Sequence, residues 1–241
     1  MKLSDFKVLT FDCYGTLIDW NKGISAALRP WLEREKIAVT ANEMLAAHGR
    51  HEAALQAEMP RMRYSGILAE VMKRLGAEFA AQVTEEDALR HGHSVREWPA
   101  FPDSRDALAY LQRHFRLVVL SNVDCQSFEH SNAKLGVTFD QVFTAEEIGS
   151  YKPDLANFRY MLTRLEEEGV QPQQILHVAE SLFHDHIPAQ KLGLATCWIQ
   201  RRHDDEGYGA THPPTEAARY DFHFRSLAEF ADAHRRELTP A

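Results

Sequence analysis

Lys7-Val8-Leu9-Thr10-Phe11-Asp12-Cys13-Tyr14-Gly15-Thr16-Leu17 joins a short apolar run to a carboxylate and then to a glycine turn. Val8 to Phe11 is brief, apolar and rich in β-formers, the pattern of a buried parallel strand, and Gly15 supplies a sharp exit. In an open α/β sheet, ligands gather beyond the carboxyl ends of the strands. Asp12 stands at such an end, where a carboxylate can attack carbon or phosphorus to form an ester or an acyl phosphate. On this segment alone two roles stay open for Asp12, nucleophile or cap of the next turn.

The same strand pattern recurs at Leu117 to Ser121, Gln141 to Thr144, Ile175 to Ala179 and Ala195 to Ile199, alternating with helical stretches such as Leu155 to Glu168. That alternation predicts right-handed crossovers and a parallel sheet. Between about Ile24 and Glu97 the apolar spacing is helical throughout, and Thr84-Glu85-Glu86-Asp87 reads as a capped helix start. Trp98-Pro99-Ala100-Phe101-Pro102-Asp103 then breaks the helical pattern. The expected fold class is α/β, a Rossmann-like doubly wound parallel sheet formed by residues 1–20 and 98–241, with a helical cap domain inserted at 21–97. The polar stretch Arg201 to Pro214 is expected as a loop on the rim of the site.

The chain has 241 residues, enough for a substantial core, with 44% hydrophobic residues, 26% charged residues and a formal net charge of −8. An acidic balance without a basic run argues against nucleic acid and anionic membranes as partners. No stretch reaches the roughly 18 apolar residues of a membrane span. The three cysteines, Cys13, Cys125 and Cys197, show no paired metal or disulfide spacing. These features predict a cytoplasmic protein, and apolar faces on the cap make a homodimer plausible. Among the thirteen histidines, His184 and His186 stand only two apart, with no HExxH helix or cysteine pair beside them, so zinc is not expected.

Four segments in order carry a resemblance to a family. Phe11-Asp12-Cys13-Tyr14-Gly15-Thr16-Leu17, Ser121-Asn122 at a strand end, Lys152 in Gly149-Ser150-Tyr151-Lys152-Pro153-Asp154, and Ile175 through Asp185 resemble the four motifs of the haloacid dehalogenase superfamily. The resemblance covers nearly the whole chain. It implies Asp12 as nucleophile, Lys152 as its charge partner, and Asp185 as the acid that activates water. Phosphatases of the superfamily carry a second Asp where this chain has Tyr14. A phenol, with its ordinary pKa near 10, is a poor proton donor to a departing alkoxide at neutral pH, whereas a halide needs no proton. The Asp-x-Tyr-Gly-Thr-Leu form is the one carried by the L-2-haloacid dehalogenase branch.

That branch implies further site residues. Arg50 falls where its members carry a cap arginine that faces the nucleophile, and a guanidinium can grip a carboxylate or halide; the alternative is an ordinary solvated helix arginine. Ser121, with backbone groups near Asn122 and Cys13, is expected to bind a substrate carboxylate, and Thr16 to fix the Asp12 loop. Tyr14, Glu180 and Ser181 complete the expected substrate-binding set. No cofactor is expected; Mg²⁺ would enter only for a small-molecule phosphatase, and the missing second Asp leaves its oxygen shell incomplete. Phe158 stands where the branch has a substrate-side Tyr. The segments Phe11 to Trp20, His177 to Ala189 and Glu206 to His212 resemble a sub-branch that includes an (S)-azetidine-2-carboxylate hydrolase, whose leaving group is a ring amine. The implied reaction is hydrolysis at the carbon α to a small carboxylate substrate, through an ester on Asp12, to a 2-hydroxy acid.

Overall fold

The computed structural model describes residues 1–239. Every residue of β1 (Val8–Phe11) is buried, as expected of a strand covered on both faces. After β1 comes a helical layer of α1 (Trp20–Glu35), α2 (Ala41–Glu58), α3 (Tyr64–Glu78) and α4 (Glu85–Gly92). The chain then runs through α5 (Ser104–Leu111), β2 (Arg116–Ser121), α6 (Cys125–Leu135), β3 (Gln141–Thr144), α7 (Ala145–Ile148) and α8 (Leu155–Glu167). It ends with β4 (Ile175–Ala179), α9 (Ile187–Lys191), β5 (Ala195–Ile199), β6 (Phe222–Phe224) and α10 (Leu227–Leu238).

The strands pair in parallel in one sheet of order β3-β2-β1-β4-β5-β6. β1 therefore has β2 on one side and β4 on the other, and the chain winds away from it in both directions. Its carboxyl end is the switch point at which doubly wound sheets open a crevice. The alternation of side chains along each strand sorts the core into two clusters. Val8, Val118, Leu120 and Ile175 pack with Phe158, Met161 and Leu165 of α8. Leu9, Phe11, Leu117 and Val178 belong to a larger cluster that runs into the helical layer through Ile24, Leu55 and Ile67. Sheet and helical layer thus share one apolar interior. No helix among the described residues is long and apolar enough to cross a membrane.

Local chemistry sets the helices that matter for the site. α2 starts at a capping box, in which the Thr40 hydroxyl accepts from the Glu43 N–H and the Glu43 carboxylate accepts from the Thr40 N–H. After β1, Gly15 takes φ +91°, a backbone region open to glycine at no steric cost. Its N–H donates to the Ile18 carbonyl at 2.8 Å, while the N–H groups of Leu17 and Ile18 both donate to the Cys13 carbonyl. The turn is therefore closed by its own backbone.

The segment from Arg201 to Pro214 has no helix or strand, yet it is pinned. Arg201 donates through Nε to the Thr16 carbonyl and through a terminal nitrogen to Asp103. Ala210 donates its N–H to the Asn21 side chain at 2.9 Å. Its carbonyl packs against Gly49 of α2 so closely that a Cβ built on Gly49 would lie 2.1 Å from the oxygen. Gly49→Ala is expected to force loop and helix apart and to cost about 1–3 kcal/mol, read as a lower urea midpoint with an unchanged slope.

Candidate active site

Asp12 lies one residue beyond β1, and its N–H extends the sheet ladder to the Val178 carbonyl at 3.1 Å. Its carboxylate is 6% exposed and receives two donors, Lys152 Nζ at 2.9 Å and the Thr16 hydroxyl at 2.6 Å. Thr16 in turn accepts the Glu180 N–H at 2.9 Å, so one hydroxyl couples the β1 turn to the end of β4. Lys152 Nζ also donates to Asp185 Oδ1 at 2.7 Å and to the Leu120 carbonyl at 2.9 Å. The ammonium has three protons and three acceptors.

Asp185 sits on a π-helical turn, Leu182–His186, that follows β4; the Ser181 hydroxyl caps it by accepting the His184 N–H. His177 donates through Nε2 to Asp185 Oδ1 at 3.0 Å, while its Nδ1 pairs with Thr10 at 2.8 Å. Phe158 does not reach the substrate side: it is fully buried, edge-on to the His177 ring. Asn122 fixes the lysine loop with both ends of its amide, accepting from the Lys152 N–H and donating to the Lys152 carbonyl.

Burial shapes the charges of this cluster. It raises the Asp12 pKa above the ordinary carboxylate value, against the opposing pull of Lys152 and Thr16. Burial also works against ionisation of Asp185, but Lys152 and His177 outweigh it and hold that carboxyl well below the usual range. Burial likewise disfavours a charged Lys152, and the two carboxylates overcome it. The two carboxyls around one lysine are thus shifted in opposite directions, Asp12 up and Asp185 down.

Asp12, Lys152 and Asp185 line a cavity of about 30 Å³ together with Tyr14, Trp20, Glu52, Tyr64, Asn122, Ser181 and His184. Of the expected set, Cys13, Thr16, Ser121 and Glu180 lie behind this lining. Cys13 is fully buried. The Ser121 hydroxyl is buried without a hydrogen-bond partner. Glu180 accepts from the Thr211 hydroxyl at 2.8 Å, and burial lifts its pKa to about 7. The Tyr14 hydroxyl pairs with Ser131 at 2.9 Å, and burial pushes the phenol well above its usual pKa.

Arg50 departs from the expectation. Its guanidinium is 56% exposed and pairs with Glu78 of α3 at 2.8 Å, outside the cavity. The cause is helical phase: α2 turns His48, Glu52 and Gln56 inward, and a residue two positions from Glu52 lies about 200° around the axis. Arg50 is thus on α2 but turned away from the cavity. Trp20, Glu52 and Tyr64 line it instead; a buried acid or aromatic on a helix has no local pattern that distinguishes it from core. His177, the partner of Asp185, was legible only as a strand residue.

The fit to Mg²⁺ is poor in these residues. Hard cations want a set of oxygen donors, but Asp12 is committed to Lys152 and Thr16, Glu180 to Thr211, and Asp185 keeps only Oδ2 unpartnered. Among the described residues no group of three or more His, Cys, Asp or Glu side chains is placed to hold a metal ion.

The site is thus a buried aspartate at the switch point of a parallel sheet, paired with a buried lysine. The model of the haloacid dehalogenase-like hydrolases matches residues 6–189, and the chain belongs to that family. It is 27% identical over 213 residues to YfnB of Bacillus subtilis strain 168, covering 80% of this chain and 84% of that one. It is 23% identical over 208 residues to the (S)-2-haloacid dehalogenase of Pseudomonas fluorescens, covering 80% and 83%. Its fold is similar to that of the L-2-haloacid dehalogenase of Xanthobacter autotrophicus with chloropropionic acid covalently bound, with TM-score 0.75 and 20% identity over 95% of this chain and 98% of that one. The magnesium-bound structure of YfnB superposes with TM-score 0.73 and 21% identity over 94% and 97%.

Lys152→Met removes the one cation between two buried carboxylates. At pH 7 the variant is expected to lose about 3–5 kcal/mol of stability in urea unfolding. The deficit should shrink on acidification below the ordinary carboxylate range, as protonation of Asp12 and Asp185 relieves their repulsion.

Proposed function

We propose that the chain is a hydrolase that displaces a leaving group from the carbon α to a carboxylate, in the manner of the 2-haloacid dehalogenases, without a metal. The reading rests on one observation: Asp12 is aimed and charge-paired by Thr16 and Lys152, while the residue two positions on, Tyr14, is tied to Ser131 and holds its proton. A phosphatase needs a proton donor at that place.

In the first step an Asp12 carboxylate oxygen attacks the α carbon with inversion, and the leaving group departs with its bonding electrons. In the second step water attacks the Asp12 ester carbonyl, and the 2-hydroxy acid is released. Asp185 Oδ2, buried and unpartnered, is placed to orient that water. His184 lines the same cavity, and burial lowers its pKa to about 4 and keeps its ring neutral. Lys152 offsets the charge that develops on Asp12. The covalently bound chloropropionic acid named for the Xanthobacter enzyme supports this reading, because it is the adduct that such an attack would leave. The Ser121 hydroxyl and the Trp20 indole N–H, both buried without partners, are suited to receive the substrate carboxylate.

Sheet and helical layer are joined by their shared core and by Tyr151 to the Met62 carbonyl at 2.6 Å and Ser65 to Asp124 at 3.0 Å.

With EDTA present, the enzyme is expected to convert (S)-2-chloropropionate or (S)-azetidine-2-carboxylate to the 2-hydroxy acid, followed by NMR. Asp12→Asn should abolish turnover while the circular dichroism spectrum is kept; a variant of near-normal rate would sink the proposal. Arg50→Ala is expected to leave kcat/KM within about twofold of the parent, as for other exposed ion pairs, and a fall of two decades would place Arg50 in the working site.

A further inference from the structure

Glu52 is the one carboxyl that the helical layer sets against the cavity, and the mechanism above leaves it without a task. It is 6% exposed and lines the same cavity as Asp12. A chain of amides fixes its polarity. The Lys152 N–H donates to the Asn122 amide oxygen at 2.7 Å, so the amide nitrogen of Asn122 is the end that donates to the Gln56 oxygen, at 3.4 Å. That leaves the Gln56 nitrogen to donate to Glu52 Oε1 at 2.9 Å. Oε1 is therefore the accepting oxygen, and Oε2, which has no hydrogen-bond partner, is the one that carries a proton in the acid form.

No cation stands at Glu52 to hold it ionised. On its own helix, His48 Nδ1 lies 3.4 Å from Oε2, and His48 Nε2 meets His91 Nε2 of α4 at 3.0 Å. Burial drives the pKa of both rings down, so both are neutral at neutral pH. Tyr64 of α3 and Tyr151 of the lysine loop face it as neutral phenols. The cavity is also lined by Asp12, Asp185, His184 and Lys152, and the three protons of that lysine are taken by Asp12, Asp185 and Leu120. A buried carboxyl without a charge partner keeps its proton. Burial accordingly raises the Glu52 pKa to about 8, against Tyr64 and Gln56.

Inversion at the α carbon sends the leaving group to the side away from Asp12, and since Asp12 stands at the sheet end, that side is the helical layer. We propose that Glu52 donates a hydrogen bond from Oε2 to the halogen as it leaves the α carbon. The inference rests on the reading of Asp12 as nucleophile. The Asp12 oxygen–Cα bond forms, the Cα–halogen bond breaks, and its electron pair leaves on the halide; Glu52 keeps its proton throughout. A hydrogen bond to an ion is stronger than one to the uncharged halogen, so the donor stabilises the transition state more than the substrate. An ionised Glu52 would repel the same halide. Over the cycle water supplies the new hydroxyl, and one proton and the halide are released.

The acid form is the working one, so kcat/KM is full below about pH 8 and falls as pH rises through it. Glu52→Gln and Glu52→Leu separate the donor from the shape. In Glu52→Gln the Gln56 nitrogen still selects the amide oxygen, which turns an N–H to the place of Oε2. On (S)-2-chloropropionate at neutral pH, kcat/KM of Glu52→Gln is expected to stay within about threefold of the parent and to lose the fall at higher pH. Glu52→Leu removes the donor and is expected to lose about 10- to 100-fold, with a smaller loss on (S)-2-bromopropionate, because the larger bromide spreads its charge and gains less from a donor. Where Glu52→Leu does not fold, the pH profile of Glu52→Gln decides alone. Glu52→Gln as impaired as Glu52→Leu, a fall at higher pH that survives in Glu52→Gln, or equal losses on the two halides overturns the role of Glu52 and leaves Asp12 as nucleophile. A parent inert toward both acids removes the reading of Asp12 and the role of Glu52 with it.

Discussion

One ammonium holds the chemistry of this protein in place. Lys152 comes from the loop before α8, is 1% exposed, and reaches the carboxyl ends of three neighbouring strands at once: Asp12 after β1, Leu120 on β2 and Asp185 after β4. Burying a single charge in this way costs several kcal/mol, and the cost is offset only when every proton finds an acceptor. Here each does. The same arrangement places two carboxylates a few ångströms apart that would otherwise repel, and it divides them: Asp185 is held deeply ionised, Asp12 is left the more basic.

The sheet and the helical layer contribute different things to the cavity. The sheet end brings the charged trio, fixed by the ladder, by Thr16 and by the Asn122 clamp on the lysine loop. The helical layer brings Trp20, Glu52 and Tyr64, a wall with aromatic faces and one buried acid. The division fits a reaction in which the nucleophile must be rigid and the wall opposite chooses what may leave. The Arg201–Pro214 segment is pinned to Thr16, Asp103 and Asn21.

Much of this was legible in the chain. β1, β2 and β4 announce themselves because a parallel strand buried on both faces is written as a largely apolar run, whereas β3 and β5 are short runs of β-formers between helical stretches. Asp12 stands out at a strand end, while Lys152 and Asp185 are legible through the resemblance of their segments to the family's ordered motifs. β6 was not legible: three residues, Phe222 to Phe224, form an edge strand without an apolar run, and pairing with β5 alone defines it. Nor was the helical wall. Arg50 and Glu52 are both polar residues on a helix rich in charges, and which one faces Asp12 depends on how α2 is rotated by Leu55, Met44 and the Gly49–Ala210 approach. That rotation is a property of the packed layer, and no short motif records it.

The covalent role of Asp12 is the claim on which the rest stands. A single turnover in ¹⁸O-water, with enzyme in excess over substrate, reads it directly by mass spectrometry of product and of the peptide that contains Asp12. The account predicts a product whose new hydroxyl carries no label and an Asp12 peptide that has gained ¹⁸O. Label in the product hydroxyl on the first turnover, with none on Asp12, would mean that water attacks the substrate itself and would contradict the account.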